Sequence, residues 1–451
     1  MAKVITTELQ HSGASGANIT LDSSKNVTCE NNLQVDGNVT VTGTLPADKL
    51  TGTAAAINGS NITNLPAANL TGTLPAISGA NLTGIVSPLS FRNLVINGAM
   101  NIAQRGTSSS GGSYKTVDRL SIDVSGQEEY PTQSQQTLTS SDTGPWAKGF
   151  KRFFRIQNGN QTGGADTGAH VKIRYKFEAQ DIANSAWECA NTNSKLTISF
   201  WVRSSVAQTY YVNLKTEDGT AKQYSFAYTP SANTWLKVEH TIPGHADLQF
   251  DSNNALGLTI TFSTFEGTNN THSGATNNTW RGYDAGTLTL DQTSTWYTTN
   301  DATWDITGLQ VEAGDTATEF EHRSFSDELR RCQRYYYQIP TLNSPGNEAA
   351  IGNGYHFGLG FVNSTSNSRT HIVFPVPMRA APASLEWSGT QGDYVVGHGG
   401  SETQCNGNLS FSANQAWNTR VNFPASSLTV GQAIQGMAYN NSAFLGFESE
   451  L

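Results

Sequence analysis

A chain of 451 residues exceeds one ordinary domain, so two or three modules with at least one sizeable core are expected. Only 14% of its residues are charged, Gly counts 43, and Asn, Thr and Ser fill much of the rest, a composition that argues against a helical enzyme and for strands joined by turns. The net charge of −9 repels phosphate backbones and argues against a nucleic-acid partner.

The N-terminal stretch MAKVITTELQHSG has no apolar run of the secretory kind, and nowhere do about 18 consecutive apolar residues occur, so neither a signal peptide nor membrane insertion is expected. Cys29, Cys189, Cys332 and Cys405 are far apart and form no C-x-x-C pair, which predicts free thiols rather than a zinc site or a disulfide scaffold.

Residues 1–32 form an N-terminal segment, and from 33 to 45 the sequence LQVDGNVTVTGTL alternates with strand periodicity. A repeat of 20 residues follows: Leu50-Thr51-Gly52-Thr53 recurs as Leu70-Thr71-Gly72-Thr73, and Ile57-Asn58-Gly59 recurs as Ile77-Ser78-Gly79. Ordering a residue costs on the order of 1 to 2 kcal/mol of backbone entropy, and two such sparse repeats cannot enclose a core within one chain. Three identical chains about one axis would bring the aliphatic residues together, so 33–90 reads as a trimeric shaft, with a flexible Gly/Thr-rich linker as the alternative.

From residue 91 aromatics appear at strand spacing, and 91–325 reads as a two-sheet jelly roll. In LTISFWVRSS, Leu196, Ile198, Phe200 and Val202 share one face, with Thr197, Ser199, Trp201 and Arg203 on the other. Further strands are predicted at 152–156, 171–177, 210–215, 235–240, 256–262, 288–290 and 306–312. A connecting helix is predicted over 326–339, capped by Ser326, with Leu329, Cys332 and Tyr336 on one face. Beyond Pro340 alternation returns at Tyr355, Phe357, Leu359 and Phe361, and 340–451 reads as a C-terminal β-rich domain.

Several motifs carry a resemblance. The stretch Asn93-Leu94-Val95-Ile96-Asn97-Gly98-Ala99-Met100-Asn101-Ile102-Ala103-Gln104-Arg105-Gly106 with Tyr114-Lys115-Thr116-Val117-Asp118-Arg119 resembles the opening of a domain of marine bacteriophage tail-fibre proteins. Ile306-Thr307-Gly308-Leu309-Gln310-Val311-Glu312 and Asp327-Glu328-Leu329-Arg330-Arg331-Cys332-Gln333-Arg334-Tyr335-Tyr336 resemble its end, although Thr318-Glu319-Phe320 lacks the proline expected in the middle. The region between is similar to carbohydrate-binding-module jelly rolls, and Val376-Pro377-Met378-Arg379 with the closing Glu448-Ser449-Glu450-Leu451 resembles fibre C-terminal domains. The resemblance implies a mainly β, elongated homotrimeric fibre of a virion. Its N-terminus would attach to phage tail or adaptor proteins, and its later domains would bind a host cell-surface glycan as receptor. A capsid-attached fibre is the alternative placement.

Glycan recognition needs aromatic faces beside hydrogen-bonding groups. Trp280, Tyr283, Asp284, Trp296 and Tyr297 lie among turn residues of the jelly roll and are candidates; Asp393, Tyr394, His398 and Trp417 are their C-terminal counterparts. Trp201 and Arg203 read as lining either an open sheet face or a subunit contact, and Trp235 as core. Glycoside hydrolysis would need two carboxyl groups across a scissile bond. Asp301 with Asp305, and Glu217 with Asp218, stand in no recognisable catalytic context, so no enzyme is expected, with a fibre-borne polysaccharide depolymerase as the alternative. No G-x-S-x-G, H-E-x-x-H or P-loop motif is present, and no cofactor is expected. The jelly-roll resemblance allows a structural calcium ion without naming its ligands.

Overall fold

The computed structural model describes residues 8–9, 19–21, 27–29, 92–339 and 356–451. The chain is mainly β and divides into two units, Met1–Ile85 and Val86–Leu451. In the first, β1 (Glu8–Leu9), β2 (Ile19–Leu21) and β3 (Val27–Cys29) form an antiparallel sheet. The predicted shaft repeats lie outside the described residues.

In the second unit two six-stranded sheets enclose one core. The first runs, in spatial order, β14 (Arg281–Gly282), β11 (Lys222–Tyr228), β10 (Tyr210–Thr216), β13 (Leu256–Glu266), β8 (His170–Glu178) and β5 (Leu120–Ser125). The second runs β12 (Leu236–Pro243), β9 (Lys195–Ser204), β15 (Thr303–Ala313), β7 (Arg152–Gln157), β6 (Thr132–Thr137) and β4 (Ser108–Ser110). Leu196, Ile198, Phe200 and Val202 of β9 are buried against Val171, Ile173, Tyr175 and Phe177 of β8 in one cluster. Burying each such side chain stabilises by about 1.5 to 3 kcal/mol, and a slip of one residue would turn the whole stripe outward, so these patterns fix the register.

The resembling motifs fasten the sandwich at its ends. Leu309 N donates to Gly98 O (2.9 Å), Leu94 N donates to Val311 O (2.9 Å), and Val311 N donates to Asn93 Oδ1 (3.1 Å). The register of β15 against β9 shifts between Thr307 and Gln310, and at that bulge Gly308 has φ +65° with its Cα facing the Phe150 ring. A side chain there would need both a left-handed backbone and the space the ring fills.

The C-terminal part pairs a seven-stranded sheet with a three-stranded one. The larger runs β21 (Ser401–Gln404), β20 (Tyr394–His398), β24 (Ala433–Ala438), β17 (His356–Ser364), β18 (Asn367–Val373), β23 (Asn418–Pro424) and β22 (Ser410–Ser412). The smaller runs β16 (Tyr336–Ile339), β25 (Leu445–Glu448) and β19 (Ser384–Trp387), and the two share a second core that includes Phe357, Tyr394, Phe423 and Phe447.

Three predicted elements are corrected. The connecting helix spans Phe325–Gln333 and is capped by Ser324, whose Oγ accepts from Asp327 N (3.2 Å); Tyr336 belongs to a strand, as its aromatic neighbours and the following Pro340 favour. Residues 288–290 form no strand. A one-turn 3-10 helix at Ala285–Thr287 precedes them, and the Leu288 carbonyl is satisfied by Asn213 Nδ2 (3.1 Å) and Ser225 Oγ (2.5 Å) instead of by a ladder. In β17 a register shift between His356 and Gly358 splits the alternating run: Phe357 is buried, while Leu359 (68% exposed) and Phe361 (49%) face solvent. Gly360 sits so close to the Arg369 carbonyl that a Cβ would lie 1.7 Å from it, so this strand meets β18 only with glycine there.

A buried polar joint ties the sandwich, the connecting helix and the last residues together. The Arg119 guanidinium lies 3.4 Å from the Tyr335 ring centroid, donates to Lys176 O (2.6 Å) and pairs with Glu450. Arg105 lies 3.5 Å from the Tyr336 centroid and faces Glu450, Glu448 and Glu386 at 3.5, 3.7 and 3.8 Å. Glu178 accepts from both Arg334 Nε and Nη2 and from Tyr335 Oη, each at 2.7 Å. Burial alone would lower the Arg119 pKa, but Glu450 together with Tyr335, Tyr175 and Tyr114 outweighs it and holds the guanidinium charged. Burial pushes Asp118 up to about 6 against the opposing pull of Arg105.

Candidate functional site

The outer face of the first six-stranded sheet is built by the residues that alternate with the core. In β8, Lys172, Arg174 and Lys176 point away from the buried Val171, Ile173, Tyr175 and Phe177. Thr261 and Asn213 continue the row from Arg174 across β13 and β10, and Thr259 and Lys215 continue the row from Lys176. Together with Glu217 and Tyr283 these side chains line an open cleft of about 220 Å³.

Its chemistry is polar with one aromatic. Tyr283 is 40% exposed, and Lys215 Nζ lies 4.4 Å from its ring centroid. Lys215 also pairs with Glu217 at 2.8 Å, Arg174 with Asp123 at 2.5 Å, and the buried Lys172 with Glu266 at 3.0 Å. The His170 side chain, then the Arg174 guanidinium, hold Asp123 down at about 2. Lys176 Nζ donates to the Leu451 carbonyl, and burial together with the neighbouring Arg174 lowers its pKa.

Of the jelly-roll candidates, only Tyr283 lines this cleft. Asp284 is exposed next to it and spends one carboxylate oxygen on Gly286 N (2.9 Å), capping the short 3-10 turn. The expectation of exposed platforms at Trp280, Trp296 and Tyr297 is corrected, since all three rings belong to the core. Trp280 Nε1 donates to Pro243 O (2.7 Å) and Trp296 Nε1 to Thr303 O (3.2 Å), while Tyr297 Oη donates to Gly126 O (2.7 Å). An indole or phenol whose polar end finds a carbonyl can be buried without loss, and turn-like neighbours in sequence do not report that. Trp201 lies under the loop at Gly144 and lines a small cleft of about 170 Å³ with Ser199 and Lys237, while Arg203 is held by Asp142 (2.7 Å) and Asp305 (2.9 Å). Trp235 is half-buried against Phe153 rather than core, with Nε1 donating to Asp142 (3.1 Å).

In the C-terminal part, His398 lines a second open cleft, of about 480 Å³, with His356, Leu359, Glu402 and Gln435, and its Nε2 is 2.8 Å from Thr403 Oγ1. Tyr394 is corrected to core: its Oη donates to Phe444 O (2.8 Å). Asp393 is likewise buried and accepts from Asn440 Nδ2 (2.6 Å). Trp417 is 62% exposed and does not line the cleft of His398.

The carboxylates weighed for hydrolysis are engaged elsewhere. Asp305 is fully buried between Arg155 (2.7 Å) and Arg203 (2.9 Å), Asp301 accepts from Gln157 (2.7 Å), and Asp218 accepts from the Asp251 N–H (3.1 Å). Among the described residues no group of three His, Cys, Asp or Glu is placed to hold a metal ion, so the calcium expectation acquires no ligands from them. Cys189, Cys332 and Cys405 are free thiols. No helix among the described residues is long and apolar enough to cross a membrane.

The cations of β8 were legible as K-x-R-x-K on the polar parity of a predicted strand, in a chain with only 27 basic residues against 36 acidic ones.

No family model matches the chain, and no curated protein matches it. Among solved structures it is similar to Family 16 Carbohydrate Binding Module-2, at 10% identity over 49% of this chain and 99% of that one, with a TM-score of 0.23. It is also similar to a Family 11 carbohydrate-binding module from Clostridium thermocellum in complex with a mixed-linked tetrasaccharide, at 11% identity over 48% and 98% of the two chains, TM-score 0.22. A tandem CBM22-1–CBM22-2 domain from Paenibacillus barcinonensis Xyn10C covers 80% of this chain and 98% of its own length at 10% identity, TM-score 0.23.

Proposed function

We propose that the chain is a bacterial-virus fibre, most simply a tail fibre, that assembles as a homotrimer, attaches to tail or adaptor proteins by its N-terminus and holds a host surface glycan without cleaving it. The observation that carries glycan binding is the cleft of the six-stranded sheet, where an exposed Tyr283 stands beside Lys215, Asn213, Thr259 and Thr261. An aromatic plane next to hydrogen-bonding side chains is what a sugar ring requires. The fibre role draws its support from the paired opening and closing motifs and from the 20-residue repeat. The clamping of Asp305 between two arginines supports a non-catalytic role, because both of its oxygens are taken up by buried ion pairs and face no substrate.

The test is binding of the full chain to host cells and their extracted polysaccharide, with Tyr283→Ala beside it. Binding that Tyr283→Ala weakens without a change in melting temperature is expected. Unaltered binding by Tyr283→Ala would remove the cleft from the reading, and release of reducing ends would replace a binding fibre with a depolymerase. Sedimentation of the same preparation is expected to give an elongated species of three chains; a monomer would exclude the fibre assembly.

A further inference from the structure

We propose that the glycan held in the cleft of the six-stranded sheet is acidic, its uronate or sulfate groups docking against Arg174, Lys176 and Lys215. This rests on the glycan-binding reading and adds the ligand's charge. The cleft gathers four cations, Lys172, Arg174, Lys176 and Lys215, in a chain whose net charge is −9. Lys172 is taken out of play by its buried pair with Glu266. The other three are partly exposed, and their spacing follows from sheet geometry. Arg174 and Lys176 are two residues apart on one strand, about 7 Å, while Lys176 and Lys215 lie two strands apart, about 10 Å. An extended polyanion crossing the strands meets them in turn.

Two contacts point to an anion rather than to neutral hydroxyls alone. Lys176 Nζ donates to the Leu451 main-chain oxygen, and burial with Arg174 nearby disfavours its charge. An incoming carboxylate or sulfate would offset that cost. Lys215 sits against the Tyr283 ring, so a sugar on the exposed part of that ring lies beside an ammonium group. Arg174 and Lys215 keep Asp123 and Glu217 as partners in the free protein, which a polyanion must displace. The exchange makes binding modest and strongly salt-dependent.

The experiment is titration of the full chain with polygalacturonate, a sulfated galactan and neutral xylan, at low and at high salt. The acidic polymers are expected to bind at least about tenfold more tightly than xylan at low salt and to lose that margin at high salt. Lys176→Ala with Arg174→Ala should abolish the margin, and Lys215→Ala, at a partly exposed position that leaves the buried joint untouched, should reduce it. Polygalacturonate alone binding would assign carboxylate sugars, the galactan alone sulfated ones. Equal binding of xylan and the acidic polymers, still weakened by Tyr283→Ala, would overturn the charge assignment and leave the glycan reading standing. Binding of none of the three would overturn both.

Discussion

The buried joint and the outer cleft use the same residues to opposite ends. In the joint, Arg119 is 1% exposed, lies over the Tyr335 ring and pairs with Glu450. At the cleft, Lys215 has a side chain 29% exposed, lies near Tyr283 and pairs with Glu217. Arginine or lysine, tyrosine and glutamate meet in both places, and water decides what each set can do. A cation stripped of its partner in the joint has nothing to replace it, whereas at the cleft solvent or a ligand can take the partner's place. Conspicuous motif residues such as Arg105, Arg119, Arg334 and Glu450 are therefore architecture. The surface free to recognise something comes from an ordinary alternating strand.

The largest expected effect tests the buried half. Glu450→Gln should lower the unfolding free energy by about 3 to 5 kcal/mol, the cost of leaving a buried cation uncompensated, whereas Glu217→Gln at the cleft should cost less than about 1 kcal/mol. Urea denaturation of both variants measures the difference, and similar losses would break the comparison. The same joint changes how receptor binding is to be mapped. Removing residues 340–451 takes Glu450 and Glu448 away from Arg105 and Arg119, so a truncated chain would lose binding through instability as readily as through a lost site. Point substitutions at each cleft separate the two.

A second test uses pH and sets the sandwich against the joint. His240 stacks on Phe226 with ring centroids 4.0 Å apart, and its Nε2 is 3.0 Å from Tyr224 Oη. Burial pushes its pKa down from 6.5 to about 4. The folded chain keeps this ring neutral where the unfolded chain would protonate it, so its contribution to stability is complete above about 6.5 and is lost as the pH falls toward about 4. Asp118 runs the other way: raised from 3.8 to about 6, it takes up a proton earlier in the folded chain and favours folding as the pH falls through that window. His240→Gln should therefore flatten or reverse the fall in melting midpoint between those limits. An unchanged slope would mean that the ring is not held neutral.

How far the sequence carried the reading depends on whether side chains or backbone made the signal. The core stripes of β8 and β9 were legible because alternation of large apolar residues admits one inward face. Strand β6, TQSQQT, has no such stripe: its buried Gln133 donates to Gly111 O (2.9 Å) and accepts from Thr116 Oγ1 (3.1 Å), which no hydropathy pattern records. The bulge in β17 was also invisible, and it turned Leu359 and Phe361 from an expected stripe into exposed residues. At the site, Tyr283 was singled out, yet Trp296 looked the same in sequence because the carbonyl that receives its indole N–H comes from Thr303, seven residues away and across a turn. The cations opposite Tyr283 come from β8, more than a hundred residues earlier, and only the strand order brings them to it.

The smallest expected effect is the one that most sharpens the contrast. Lys215→Ala removes an ion pair of 2.8 Å between two partly exposed side chains and a contact of 4.4 Å to the Tyr283 ring. Exposed pairs of this kind contribute about 0 to 1 kcal/mol and exposed cation–π contacts about 0.5 to 1 kcal/mol, and the freed Glu217 regains water. The net loss of stability should stay below about 1 kcal/mol, and it should shrink further at high salt, because salt screens a solvent-accessible pair much more than a buried one. Glu450→Gln should keep its cost at high salt, because ions do not enter the joint between Arg119 and Tyr335. Denaturation of both variants at two salt concentrations reads this directly. If Lys215→Ala lost as much stability as Glu450→Gln, or kept its loss at high salt, the cleft would be part of the scaffold and its cations would not be available to a ligand.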